Sequence, residues 1–368
     1  MNLRDFARRM PKAELHVHLE GSIRPTTLLQ LARRNDVTLP AQDVDGLRDF
    51  YRFRDFPHFV EVYIAITACL RTPDDYRLIA YQFGADCARQ NIRYAEATFT
   101  IATNTRYTGL PWRVILASLN EGRAQARARF GVDWRWVFDI SRDNPDTQDR
   151  VIEIALAARE QGVVALGLGG SEADFPPHLF VQTFERARRA GLPRVPHAGE
   201  TAGPESIWAA LRSLHADRLG HGVRCVEDPA LVEYLRERQI PLEVCPTSNV
   251  CLGVYPDYAT HPLRRLWDAG LLVTVNSDDP ALFGADLNRE YEVLVDHFGF
   301  SADELEQVSL NGLHASLLPE PDQVQLEAEF RAQFAQLRTE AETCFGLAET
   351  GSGRQKRQQV GASESFVE

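Results

Sequence analysis

Eight short runs of β-branched and apolar residues recur along the chain, separated by longer amphipathic stretches. That alternation is the strongest constraint on what it can fold into. The runs are "AELHVHL" near 13–19, "IRYAEATF" near 92–99, "DWRWVFDI" near 133–140, "VVALGLGG" near 163–170, "LPRVPHAG" near 192–199, "DRLGHGV" near 217–223, "IPLEVCP" near 240–246 and "LLVTVNSDDP" near 271–280. Between them lie stretches such as "DTQDRVIEIALAAREQ", "HLFVQTFERARRAG", "DPALVEYLRERQ" and "HPLRRLWDAG". Their apolar residues repeat at three and four, and several end in Gly or Gln, as helices do. Strands alternating with helices predict an α/β architecture with a parallel sheet. Eight such units in one domain favour a closed (β/α)8 TIM-like barrel over an open doubly wound sheet.

The first crossover, about 20–91, is too long for one helix. It reads as a helical insertion after strand 1, with "YRFRDFPHFVEVYIAITACL" over the barrel mouth. The stretch "LPEPDQVQLEAEFRAQFAQLRTEAETCFG" reads as C-terminal helices. Residues 1–348 are thus expected to form a single barrel domain. Residues 349–368, with little apolar content, are expected to be a disordered tail.

A chain of 368 residues with 44% apolar content can bury a core without disulfides or a structural metal. Any metal it binds is therefore expected to be catalytic. The net charge of -12 argues against a nucleic-acid binder, because neutralising phosphates needs clustered Lys and Arg. The six cysteines form no C-x-x-C pair and read as reduced thiols. The sequence shows neither a secretory leader nor a membrane span, so a cytoplasmic protein is expected.

In a (β/α)8 barrel the chemistry sits at the C-terminal ends of the strands. That is where this sequence puts its awkward residues. His16 and His18 are two apart on a strand and point to one face, which leaves Leu15, Val17 and Leu19 for the helix layer. His197 closes the fifth run, His221 the sixth, and Asp278 and Asp279 the eighth. Each alone has an ordinary explanation: a strand-end His is usually a satisfied core residue, and "DDP" is commonly a turn or a helix cap. Together they would converge, and burying several ionisable groups in one place is costly unless they bind something. Imidazoles with a carboxylate suit zinc or a similar divalent ion. The residues themselves therefore read as a mononuclear metallohydrolase.

The ordered motifs "PKAELHVHLEGS", "GLGGSE", "HAGE", "RLGHG", "CPTSN" and "VNSDDP" resemble those of the adenosine deaminase family of the amidohydrolase superfamily, from about Pro11 to about Leu318. The resemblance implies one zinc ion held by His16, His18, His197 and Asp278. It implies that Glu200 carries a proton to purine N1 and that His221 orients the attacking water and helps deprotonate it. Asp279 would share a proton with N7, and the Gly170 N–H would meet N3. Glu20, Gly170 and Asp279 would thus border the substrate. The implied reaction is hydrolytic deamination of a 6-aminopurine nucleoside to the 6-oxopurine and ammonia.

Four positions set this chain apart from adenosine deaminases proper. Those usually carry Asp where Glu20 stands, to meet the ribose 5′-hydroxyl. They usually carry an acidic pair at Ser171–Glu172, and lack Asn249. The motifs look more like two bacterial branches, one acting on free adenine and the other on 6-amino-6-deoxyfutalosine in menaquinone biosynthesis. "GLGGSEADFPP", "AGETAGPESIW" and "IPLEVCPTSNV" tilt towards the second. Its substrate is an adenosine analogue with a carboxyphenyl ketone at the 5′ end, and a carboxylate there would want an arginine. Arg24, Arg54, Arg71 and Arg106 are the candidates, each individually most like a solvated surface residue. Phe53, Phe56, Phe59 and Tyr63, at helical spacing in the insertion, are candidates to cover the substrate. The competing readings are an amide- or ester-cleaving amidohydrolase and a non-catalytic ligand-binding protein on the same fold. The expected partner is a small molecule, with neither nucleic acid nor membrane, and a homo-oligomer is left open.

Overall fold

The structure, a computed structural model, describes residues 1–52 and 56–351. The eight runs form eight strands: β1 (Lys12–His18), β2 (Ile92–Phe99), β3 (Asp133–Ser141), β4 (Val163–Gly169), β5 (Arg194–Ala198), β6 (Leu219–His221), β7 (Leu242–Val244) and β8 (Val273–Val275). They lie in sequence order, each parallel to its neighbours. The last three are shorter than the runs that predicted them. Left-handed backbone at His221 and Gly222 takes the chain off the extended path at the end of β6.

A single bridge, Val17 to Asp278, joins β1 to the end of β8 and nearly closes the barrel. Asp278 N–H donates to the His16 carbonyl at 3.1 Å, and His18 N–H donates to the Asp278 carbonyl at 2.8 Å. Below them the Asn276 side chain replaces a strand, its Oδ1 accepting the N–H groups of Leu15 and His16. The β1 register shifts here, between Glu14 and Val17. Val17 and Leu19 pack in the helix-side core as expected, whereas Leu15, at the irregularity, does not join it.

The crossover after β1 holds the helices Pro25–Arg34, Val44–Phe50, Phe56–Ala68 and Pro73–Arg89, the insertion read from the sequence. In Pro73–Arg89 a proline opens the helix, and Asp75 accepts the N–H groups of Arg71 and Thr72 ahead of it. Tyr76, Ile79, Ala80, Phe83 and Cys87 form its buried stripe. It packs against the helix Trp112–Phe130, close enough that a side chain at Gly122 would strike the Arg77 carbonyl.

The helix Ala302–His314 opens with a Ser301/Glu304 capping box and covers the β1–β8 seam. From it Ser309 Oγ donates to the Pro11 carbonyl at 2.7 Å and Asn311 Nδ2 to the Val273 carbonyl at 3.0 Å. The final helix, Glu320–Gly351, enters the segment expected to be a tail, and residues 352–368 lie outside the described residues. Cys69, Cys87, Cys225, Cys245 and Cys251 are free thiols. Among the described residues no helix is long and apolar enough to cross a membrane.

Candidate active site

An ionic layer crosses the barrel interior beneath the histidines. Arg218, just ahead of β6, donates to Glu96 of β2 at 2.5 Å and to Glu243 of β7 at 2.6 Å. Its third nitrogen reaches the Ala315 carbonyl at 2.9 Å. All three ionic side chains are buried. Burial alone would lower the Arg218 pKa, but Glu96 and Glu243 outweigh it and hold the guanidinium charged. Removing one member of such a network leaves the others buried without a partner, which costs about 3–5 kcal/mol. Arg218→Met is therefore expected to lower the stability by roughly that amount, read as a reduced denaturant midpoint with an unchanged slope.

Glu243 also reaches upward. Its Oε2 lies 2.9 Å from Nδ1 of His16, which fixes the ring and leaves Nε2 aimed across the barrel. His16, His18, His197 and His221 gather there, with ring centroids 4.4 Å apart for His16–His197 and 5.1 Å for His197–His221. Close approach of β5 and β6 makes room for them: a Cβ on Gly220 would lie 2.9 Å from His16 Cε1. Asp278 is the common member of two groups that could hold an ion, His16–His197–His221–Asp278 and His18–Asp278–Asp279.

The residues present fit a small divalent cation. Nε2 of His16 is buried without a hydrogen-bond partner. It lies 3.4 Å from Asp278 Oδ1, and Nε2 of His18 lies 3.3 Å from the same oxygen. Ligands about 2.0–2.2 Å from a tetrahedral zinc are about 3.3 Å from one another. The other Asp278 oxygen is occupied by Ser248 Oγ, donating at 2.6 Å, which turns Oδ1 towards the imidazoles.

Glu200 follows β5 and lines the same cavity. Burial first, then the nearby Asp278 and Glu172, push its carboxyl up to about 8, which favours the protonated form. Its loop is fastened by Glu172. That buried carboxylate accepts the N–H groups of Gly199, Glu200, Thr201 and Ala202 at 2.6–3.1 Å, and the Ser206 hydroxyl as well. Buried Arg142 donates at 2.7 Å to the His197 carbonyl, so the turn between His197 and Glu200 is gripped by side chains of both signs. Glu172, at the position where adenosine deaminases usually carry part of an acidic pair, thus holds this loop.

Asp279 lines the cavity too, and it makes no capping bond to the short helix Pro280–Phe283 that it precedes. Burial pushes its carboxyl up. Gly21 explains the glycine in "HLEGS": a Cβ there would collide with the Asp279 carboxyl group. Gly170, at φ 103°, exposes its backbone to the cavity, since a Cβ would strike Asp143.

Glu20 was expected to border the substrate. It is fully buried and is not on the cavity wall. Its Oε1 accepts the Thr100 N–H at 3.2 Å and the Asn104 Nδ2–H at 2.7 Å. The longer side chain reaches past the cavity to the helix Ile101–Thr108, which brings Thr103, Arg106 and Tyr107 to the cavity wall. Glu20 therefore anchors the wall.

Among the described candidate arginines only Arg106 lines the cavity, where it also donates to Asn144 Oδ1 at 3.0 Å and to Asp146 Oδ2 at 3.4 Å. Arg24 is taken by Asp86 in a different cleft, Arg71 meets the Tyr107 carbonyl, and Arg54 lies outside the described residues. Phe59 and Tyr63 line the cavity, with Phe59 stacked against Phe283 at 6.2 Å. Phe53 and the side chain of Phe56 lie outside the described residues. Ile64 and Tyr107, both over 40% exposed, add an apolar rim. Sequence reasoning missed Asp139, a buried carboxyl on the cavity wall. Its signal was an acid near the end of the apolar run "WVFDI".

A family model described as Adenosine deaminase matches residues 11–332. The chain is 40% identical over 331 residues to an aminodeoxyfutalosine deaminase of Streptomyces avermitilis, covering 89% of this chain and 92% of that one. It is 39% identical over 317 residues to an adenine deaminase of Bordetella avium, covering 86% and 99%. Among solved structures, an adenine deaminase from Arthrobacter aurescens superposes with a TM-score of 0.84 at 34% identity, covering 88% of this chain and 98% of that one.

Proposed function

We infer the reaction from family membership: the chain belongs to the adenosine deaminase family of the amidohydrolase superfamily and is a metal-dependent aminohydrolase. Its relatives are named for adenine-type substrates. Within that class, we propose zinc-dependent deamination of 6-amino-6-deoxyfutalosine. The observation that carries the deaminase reading is the shared cavity. His18, His197, Asp278, the buried carboxyl of Glu200, Gly170 and Asp279 all line it. An amidohydrolase from Burkholderia ambifaria, 30% identical with a TM-score of 0.85 and covering 92% of this chain and 94% of its own, was solved with bound Zn, which supports zinc as the ion.

In this reading His16, His18, His197 and Asp278 hold the ion, which lowers the pKa of a water towards neutrality. Purine C6 is a poor electrophile because the ring is aromatic. Glu200 transfers its proton to ring N1, which localises the C6–N1 double bond and opens C6 to attack. Gly170 N–H holds N3 and Asp279 holds N7, so the ring edge is fixed against Glu200. His221 orients the attacking oxygen. The Glu200 carboxylate, now without its proton, takes the one on the C6 hydroxyl and passes it to the amino group, so the C6–N bond breaks to release ammonia and the 6-oxopurine remains.

Arg106 and the apolar rim of Ile64 and Tyr107 support the finer choice of substrate, because they offer an aromatic carboxylate both charge and contact. Purified protein loaded with zinc should therefore release ammonia from aminodeoxyfutalosine faster than from adenosine or adenine, followed by ultraviolet absorbance. Failure on all three would refute the deaminase. Adenine as the best of the three would point to the other bacterial branch. Arg106→Gln is expected to raise KM for aminodeoxyfutalosine roughly tenfold while leaving KM for adenine unchanged. Equal effects on both substrates would remove Arg106 from substrate recognition.

A further inference from the structure

We infer that Asn249 and His261 are positioning residues that fix the neutral tautomer of His221 with its proton on Nε2. His221 then meets the attacking oxygen as a hydrogen-bond donor, not as a base, and has no lone pair to offer the metal. The kinetic part of this inference rests on the proposed deamination; the tautomer itself does not.

The relay starts at a backbone N–H, whose direction is fixed by covalent structure. Leu263 N–H donates to Nδ1 of His261 at 3.2 Å. A neutral imidazole carries one ring proton, so in His261 it lies on Nε2. Burial pushes His261 down to about 3, which keeps it neutral. Its Nε2 is 3.1 Å from Oδ1 of Asn249 and donates to it. The amide is thereby oriented, and its Nδ2 lies 3.2 Å from Nδ1 of His221. Nδ1 of His221 must accept, so the ring proton of His221 lies on Nε2. The reverse order would require His261 to carry no ring proton at all. A doubly protonated His221 would set N–H against N–H at Asn249. All three side chains are buried, at 0–4% exposure, so solvent offers no alternative partner.

Nε2 of His221 faces the site, 3.6 Å from Oε2 of Glu200 and 3.8 Å from Oδ2 of Asp278, without a hydrogen-bond partner. His221 is near enough to His16, His197 and Asp278 to be counted with them. The relay excludes it, and His18 takes the fourth place. A bound cation would lower the pKa of the attacking water enough for its proton to pass to bulk solvent, not to His221. As the C6–O bond forms, the C6–N1 π pair moves to N1, which takes the Glu200 proton. The His221 N–H stabilises the charge on the entering oxygen and neither gains nor loses a proton.

The test is nitrogen NMR of the zinc-loaded protein labelled with 15N in the histidine rings, with His221 assigned by its loss in His221→Gln. Expected is a protonated Nε2 and a bare Nδ1 at His221. Asn249→Asp gives both rings an acceptor, so the pattern at His221 should reverse. With the donor lost, kcat should fall about 10²-fold and KM should stay within about threefold. His261→Phe keeps packing against Tyr255 and Phe298 but removes the anchor, and should give mixed tautomers with a smaller loss of kcat. A proton on Nδ1 of His221 in the unaltered protein overturns the inference. So does a reversed pattern with undiminished kcat. If Asn249→Asp does not fold, the unaltered spectrum and His261→Phe decide. If no 6-aminopurine is turned over, the deaminase reading fails while the spectrum still decides the tautomer.

Discussion

Glu200→Gln is expected to lower kcat for a 6-aminopurine by about 10²–10⁴-fold, the usual contribution of a positioned acid. Gln has the same shape and can still hydrogen-bond the ring edge, but it has no carboxyl proton to give N1. The effect should fall on kcat with little change in KM, because N1 is protonated on the way to the transition state and not on binding. The turn that carries residue 200 is gripped through backbone groups by Glu172 and Arg142, so it should survive the substitution. Zinc per chain, measured by atomic absorption, should match that of the unaltered protein. Turnover within about threefold of normal would refute the acid role.

Removing the metal should abolish turnover and lower the melting temperature together. The ligand cluster brings buried imidazoles against Asp278. A bound cation compensates that burial. A ligand at about 1,000 times its dissociation constant adds about 4 kcal/mol to native stability, and that contribution disappears on chelation. Readdition of zinc should restore both activity and melting temperature. In Asp278→Ala, readdition should restore neither, because, among the described residues, both groups that could hold an ion share that residue. Full activity after exhaustive chelation, with the metal confirmed absent by mass spectrometry, would refute the metal's role.

The barrel was legible because its signal is periodic and repeated: eight apolar runs, each followed by an amphipathic stretch, leave few other architectures. The histidines and Asp278 were legible for the opposite reason, since each breaks an apolar run at its C-terminal end. The surroundings of Glu20 were not legible, because sequence position gives the residue and not its reach. Its Oε1 accepts from Asn104, while its Oε2 is buried without a hydrogen-bond partner. Asn249 could be seen as a departure from the adenosine deaminase pattern, but its work depends on His261, twelve residues away across a loop. Glu172, Arg218 and Glu243 act through partners brought together only by barrel closure. No local pattern announces them.

The seam between β1 and β8 has a consequence for how this enzyme would lose its shape. Elsewhere adjoining strands share ladders, but here one bridge, an asparagine side chain and the backbone of Asp278 do the joining. Asp278 also belongs to the ligand cluster, and His16 and His18 lie on the opposite side of the same join. An ion held by all three acts as a rivet through the barrel's thinnest join. The amides of His18 and Asp278 should then report metal loading by hydrogen exchange, opening first when the ion leaves.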